Sequence, residues 1–139
     1  MKTLAALLLS TSLFAQVADK ANERYRTPEG RQGMLGTLGA SDRAQRLKGE
    51  AIIKVLKLQP GMTVADLGTG AGAMLPLLSA AVAPGGRVLA EDIFPDFLER
   101  ARLQAKSLAN VSFILGTDRD AKLPSASADV AVAIDAYHH

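Results

Sequence analysis

Four short stretches of this 139-residue chain hold residues able to do chemistry. The first is Val64-Ala65-Asp66-Leu67-Gly68-Thr69-Gly70-Ala71-Gly72. A carboxylate closes an apolar run, and three alternating glycines follow it. Glycines there let the backbone approach a ligand and adopt conformations closed to other residues. A helix beginning after them would point free amides at that ligand. The second stretch, Val88 to Pro95, contains Glu91 and Asp92. A carboxylate about 20 residues past such a loop can accept two neighbouring hydroxyls. The third, Asn110 to Asp120, places Thr117, Asp118 and Asp120 just after an apolar run. The fourth is Ile134-Asp135-Ala136-Tyr137-His138-His139. Tyr137 and His138 could orient or deprotonate a substrate, since histidine titrates in the useful range. The other reading of this stretch is a polar strand end without chemistry. The histidines do not suggest a metal site, because two adjacent rings cannot easily share one ion and no third ligand is evident.

The elements needed to position these residues follow from periodicity. Val17 to Ala40 has no sustained pattern; Thr27-Pro28-Glu29-Gly30 reads as a turn, and Gly33, Gly36 and Gly39 keep the stretch irregular. Ser41 or Asp42 then offers a cap for a helix carrying Ala44, Leu47, Ala51, Val55 and Leu58 at helical spacing. Pro60-Gly61 ends it. Strands are expected at 63–66, 87–91, 111–115 and 129–134, and helices at 73–83 and 95–109. Pro76 is tolerable because it falls in a first turn. This is the alternating grammar of an α/β doubly wound parallel sheet. Right-handed crossovers are expected to place helices on both faces.

The pattern Asp-x-Gly-x-Gly-x-Gly from Asp66 to Gly72 resembles the first motif of the class I, Rossmann-like S-adenosylmethionine-dependent methyltransferases. The dinucleotide fingerprint instead runs Gly-x-Gly-x-x-Gly, and Ala73 stands at its last place. A nucleotide-dependent oxidoreductase is therefore the less favoured alternative. The resemblance covers residues 41–139 and implies strand order 3-2-1-4. It implies that Asp66, Gly68, Thr69, Gly70 and Gly72 pass under the amino-acid end of S-adenosyl-L-methionine. It favours Asp92 over Glu91 as the ribose-binding acid, with Ile93 and Phe94 flanking the adenosine. Helix capping by Asp92, and simple core packing of Ile93 and Phe94, are the structural alternatives. Relatives often carry Gly-Asp after the third strand; here Gly116-Thr117 displaces the acid to Asp118 or Asp120, so Thr117 and Asp118 are expected at the adenine edge. Asp135 would touch the methionine end. Exported bacterial proteins of this type look similar, sharing a signal, a Tyr-Arg-Thr-Pro preface (Tyr25 to Pro28) and a Gly-Thr-x-x-Asp turn.

Bulk properties bound these readings. Hydrophobic residues make up 48% of the chain, which is globular composition. A net charge of +2 is too weak to argue for nucleic acid, so a small-molecule acceptor is expected. Without cysteine there is no disulfide, thiolate metal site or cysteine nucleophile. Residues 1–15 read as a cleaved secretory signal, with Lys2 before an apolar run too short to span a bilayer comfortably. Export to the periplasm or exterior is then expected, with no stable membrane anchor after cleavage. The organisation expected is a signal at 1–15, an irregular segment at 16–40 and a partial methyltransferase domain at 41–139. It is called partial because Val130 to Ile134, apolar on both faces, would be left as a bare edge if the fold stopped there. A non-catalytic, cofactor-binding remnant is the alternative to an enzyme.

Overall fold

The computed structural model describes residues 22–136. Four strands form one parallel sheet: β1 (Thr63–Leu67), β2 (Arg87–Asp92), β3 (Val111–Leu115) and β4 (Val130–Ala133). Their order is β3-β2-β1-β4, as expected. Register aligns the strands' carboxyl ends, with Leu67 opposite both Glu91 and Ala133, and Asp92 opposite Leu115. At the opposite end, the Asp129 carboxylate accepts the Thr63 N–H at 2.8 Å, and the Asp129 N–H donates to the Thr63 carbonyl. This pins the start of β4 to β1.

Two crossover helices, α4 (Leu75–Val82) and α5 (Pro95–Gln104), supply the core. Leu75, Leu78 and Val82 of α4 and Ala101 of α5 pack with Val64, Val88, Ala90 and Val132 of the sheet. Alternation along a strand puts those four sheet residues on one face. The expectation of helices on both faces is therefore not met among the described residues. The reason is topological. The steps from β1 to β2 and from β2 to β3 move in the same direction, so equal handedness lands both helices on one side. The direction reverses at β4. The β1/β4 junction is thus a switch point, where open parallel sheets form ligand crevices.

The N-terminal region corrects the sequence reading. Residues 16–40 were expected to be irregular, yet α1 spans Pro28–Leu38. Thr27 caps it by accepting the Gly30 N–H at 3.1 Å, and Pro28 occupies the first turn. No residue of α1 is fully buried, and its half-buried apolar residues, Met34, Leu35 and Leu38, are confined to its second half. The single helix expected after Asp42 is two: α2 (Arg43–Arg46) and α3 (Gly49–Leu56). Lys48 between them is left-handed at φ 57°. A side chain at Gly49 would lie 2.6 Å from Leu77 Cδ1, so the break lets α3 approach α4 closely. Asp42 makes no side-chain cap and instead pairs with Arg46 at 3.2 Å.

Polar contacts hold α1 to α5. Arg31 donates to Asp96 at 2.8 Å and lies 4.9 Å from the Phe94 ring centroid. Gln104 donates to the Gly39 carbonyl at 2.9 Å. Removing Arg31 would strand a half-buried carboxylate, which commonly costs more than the pair contributes. Arg31→Met should therefore release α1 selectively. Hydrogen exchange should accelerate across residues 28–38 while β1 and β2 stay protected; equal protection of α1 in both proteins would show that Arg31 does not anchor it.

Candidate functional site

Where β1 ends, the chain must turn sharply to reach α4. Gly68, Gly70 and Gly72 all take positive φ there, at 70°, 57° and 84°. The glycines serve different ends. A Cβ on Gly68 would lie 2.6 Å from the Ala136 Cβ, so Gly68 admits the chain following β4. A Cβ on Gly72 would meet Leu75 Cδ1 at 2.9 Å and Ala101 Cβ at 3.1 Å. Gly72 thus serves close helix packing and does not line the cavity above the loop. A Cβ on Gly70 would meet only Leu38 Cδ1, at 3.8 Å. Gly70 faces the cavity, and its bareness is what a ligand lying on the loop would need.

Carboxylates fix the loop. Asp92 accepts the Gly70 N–H on one oxygen at 2.8 Å and the Phe94 N–H on the other at 3.0 Å. The Phe94 bond fixes the residue that precedes α5 but does not cap the helix itself. The Ile93 amide also stabilises Asp92, and because a carboxylate has about four lone-pair sites, room for a hydroxyl donor remains. Asp66 accepts the Thr69 hydroxyl at 2.7 Å. Glu91 receives a longer contact from the Gly68 N–H, 3.4 Å, and its carbonyl accepts the Thr69 N–H at 2.8 Å.

All three acids are buried. Burial pushes the Asp66 carboxyl up from its usual 3.8 to about 6, against the lowering effect of the Thr69 hydroxyl. Burial also raises Glu91 and Asp92, while the backbone amides bonded to each oppose the rise. A raised carboxyl is neutral in the fold where it would be charged in the open chain. Its contribution to stability is complete below pH 3.8 and is lost as pH rises through about 6.

The cavity over this loop has a volume of about 450 Å³, within the usual range for small-molecule sites. Asp66, Gly68, Thr69 and Gly70 form its floor, and Glu91, Asp92 and Ile93 one wall. Thr117 and Asp118 border it at the β3 end and Asp135 at the β4 end. Thr117 is already engaged in a turn: its hydroxyl accepts the Asp120 N–H at 3.0 Å. Asp118 is exposed beside Arg119, and Lys122 pairs with Asp120 at 2.9 Å and holds its carboxyl low. Tyr137 and His138 lie outside the described residues.

Sequence reading missed the residues supplied from before β1. Tyr25, Leu38, Arg43 and Leu47 also line the cavity. Tyr25 stacks on Phe94 with centroids 5.9 Å apart and meets Phe97 edge-on. The signal for Tyr25 was its place in the Tyr-Arg-Thr-Pro preface. Arg43 is one of several cations, with Arg46, Lys48, Lys54 and Lys57, in the helical stretch after Asp42, and nothing in its spacing sets it apart.

A parallel sheet with a glycine loop at its switch point, flanked by strand-end acids, defines a Rossmann-like nucleoside-binding protein. The methyltransferase domain family matches residues 64–139, and the chain belongs to that family. This favours a methyltransferase over the oxidoreductase alternative. A S-adenosylmethionine-dependent methyltransferase from Aquifex aeolicus superimposes with TM-score 0.67 at 30% identity, over 73% of this chain and 55% of that one. One from Thiobacillus denitrificans, in complex with S-adenosyl-L-homocysteine, gives TM-score 0.53 at 30% identity, covering 64% of this chain and 36% of that one. A tRNA (adenine(58)-N(1))-methyltransferase from Thermus thermophilus is 35% identical over 88 residues, 61% of this chain and 34% of that protein. The chain spans between 20% and 34% of the length of the curated relatives it matches.

The two glycines give a separable prediction. Gly70→Val should abolish cofactor binding by calorimetry while costing only about 1–3 kcal/mol from left-handed strain. Gly72→Val should be worse for stability, because strain and overpacking of about 1–3 kcal/mol each combine. Denaturant midpoints should fall further for Gly72→Val; the reverse order would show that the loop is not divided in this way.

Proposed function

We propose that this chain carries the S-adenosyl-L-methionine site of a methyltransferase acting on a small-molecule acceptor. The observation that carries the reading is the floor and wall of the cavity. There Gly70, bare toward the open space, is bonded to an Asp92 carboxylate with a lone pair to spare. The buried acids also suit a cation, and this cofactor is one.

When bound, the cofactor supplies a methyl group already activated by sulfonium charge, and transfer is an in-line displacement. The protein's part is binding, alignment and exclusion of water. Asp92 accepts the ribose hydroxyls. Ile93 and Phe94 flank the adenosine, and Thr117 and Asp118 border its base. Gly68 and Gly70 let the backbone pass close beneath, and Asp135 borders the amino-acid end. Tyr25, Leu38 and Leu47 roof the cavity against water. Tyr137 and His138, which follow β4, orient the acceptor or take its proton. The apolar roof supports a small acceptor that enters the cavity. The segment 1–15 supports export.

Charge-assisted hydrogen bonds contribute about 1.5–3 kcal/mol each, and about 1.4 kcal/mol is one decade of affinity. Asp92→Ala should therefore weaken S-adenosyl-L-homocysteine binding at least about tenfold, and Glu91→Ala by less. The opposite ranking would move the ribose role to Glu91. Methyl transfer by a chain that binds cofactor separates an enzyme from a non-catalytic binder.

A further inference from the structure

Among the described residues, β3 pairs with β2 alone and ends the sheet. Its backbone groups divide by position. The Asn110 carbonyl accepts the Val88 N–H at 2.9 Å, and the Gly116 N–H donates to the Asp92 carbonyl at 3.0 Å. Even-numbered positions therefore turn their N–H and C=O toward β2, and alternation turns those of Val111, Phe113 and Leu115 outward. The strand from Val111 to Leu115 carries neither charge nor proline, two devices that usually keep an edge from pairing. Its outward backbone positions also bear apolar side chains. Leu115 is 53% exposed, and Phe113 is half-buried with the Arg102 guanidinium 5.0 Å from its ring centroid.

The helix above this edge carries the charges that the strand lacks. Arg102 marks the flank of α5 that leans over β3, and Glu99, one turn earlier, shares that flank. Lys106 stands in the turn just after the helix, and all three residues are exposed. Because α5 connects two parallel strands, it runs against them. Glu99 therefore lies toward the Leu115 end of the edge and Lys106 toward the Val111 end. The edge is acidic over one end and basic over the other, a pattern complementary to its own reverse. We infer that β3 is an isologous interface for a second copy of this chain, paired antiparallel about a two-fold axis at Phe113. Phe113 then faces its own copy and Val111 faces the partner's Leu115, each facing pair exchanging two backbone hydrogen bonds. These apolar cross-strand pairs lie on the α5 side of the joined sheets. Glu99 meets the partner's Lys106, and the two Arg102 side chains near the axis lie between the two Glu99 carboxylates. So short an edge makes a weak dimer, with Kd of about 10–100 μM.

The chain has no cysteine, so engineered thiols report the register without interference. In this pairing Ser112 faces the partner's Ile114 as a non-hydrogen-bonded pair, with Cα atoms about 4.5 Å apart, a separation that a disulfide spans. The two copies of Ser112 lie diagonally, about 7–8 Å apart, which a disulfide does not span. Mixing Ser112→Cys chains with Ile114→Cys chains under mild oxidation should therefore give linked dimer at least about fivefold faster than either chain alone. Sedimentation of the unaltered whole chain across about 5–300 μM should show a monomer–dimer equilibrium, a result that requires no variant to fold. Glu99→Lys should raise Kd at least about threefold, and adding Lys106→Glu should restore it. A chain that stays monomeric over that range would overturn the inference, whether or not another protein's strand can pair there. A dimer that cross-links no better in the mixture, or that Glu99→Lys leaves unchanged, would overturn it too, by placing the contact elsewhere, as at the β4 edge. These measurements use no ligand, so their outcome is independent of the cofactor reading.

Discussion

The bond from the Gly70 N–H to the Asp92 carboxylate, 2.8 Å long, is the contact on which the site depends. It ties the turn after β1 to the end of β2. Through it, the loop's left-handed backbone is fixed and a buried carboxylate is partly compensated. Neither partner could be replaced cheaply. A side chain at Gly70 would be strained and would fill the cavity, and a shorter or neutral residue at 92 would leave the loop amide without its anionic acceptor. The same carboxylate holds the Phe94 N–H and so sets the entry to α5. Helix position, loop shape and ligand wall are thus consequences of one side chain.

Burying Asp66, Glu91 and Asp92 together opposes ionisation of each, and their hydrogen bonds offset this only in part. A cavity built this way is at its least comfortable when empty and at neutral pH. A cationic ligand relieves it. The roof from Tyr25 to Leu47 strengthens the effect by keeping water from the charges. Among the contacts that hold that roof are the ring stack of Tyr25 on Phe94, the Arg31–Asp96 pair and the Arg43–Asp135 pair. Leu47 also packs against the hydrophobic core, so the roof is held by apolar as well as polar contacts.

The sheet and its loop were legible because their signals are local. Val64, Ala65 and Val88 to Ala90 are buried strand residues, and they read as apolar runs. The acid and glycines between them have few other uses. The division of labour among the glycines was not legible, since Gly72 answers to Ala101, which lies 29 positions further along the chain. Helix α1 was hidden for the opposite reason: three glycines and no buried stripe leave only its cap and its proline as signs. The break at Lys48 follows from contact between Gly49 and Leu77, which no helical periodicity encodes. Arg43 was recognisable only as one surface-like cation among several until the fold brought it to Asp135.

The central claim is that buried carboxylates at the ends of β1 and β2 receive a cationic cofactor. Proton exchange on binding tests it most directly. With its carboxyl at about 6, Asp66 is about half protonated at pH 6 in the free protein. A bound cation favours the ionised form, so binding should expel that fraction of a proton. Titration calorimetry of S-adenosyl-L-methionine at pH 6, in buffers of different ionisation enthalpy, should show net proton release. The release should fade by about pH 8, where Asp66 is already ionised, and should be reduced in Asp66→Asn, any remainder coming from Glu91 and Asp92. Binding at pH 6 with no proton exchange, or with proton uptake, would contradict the account.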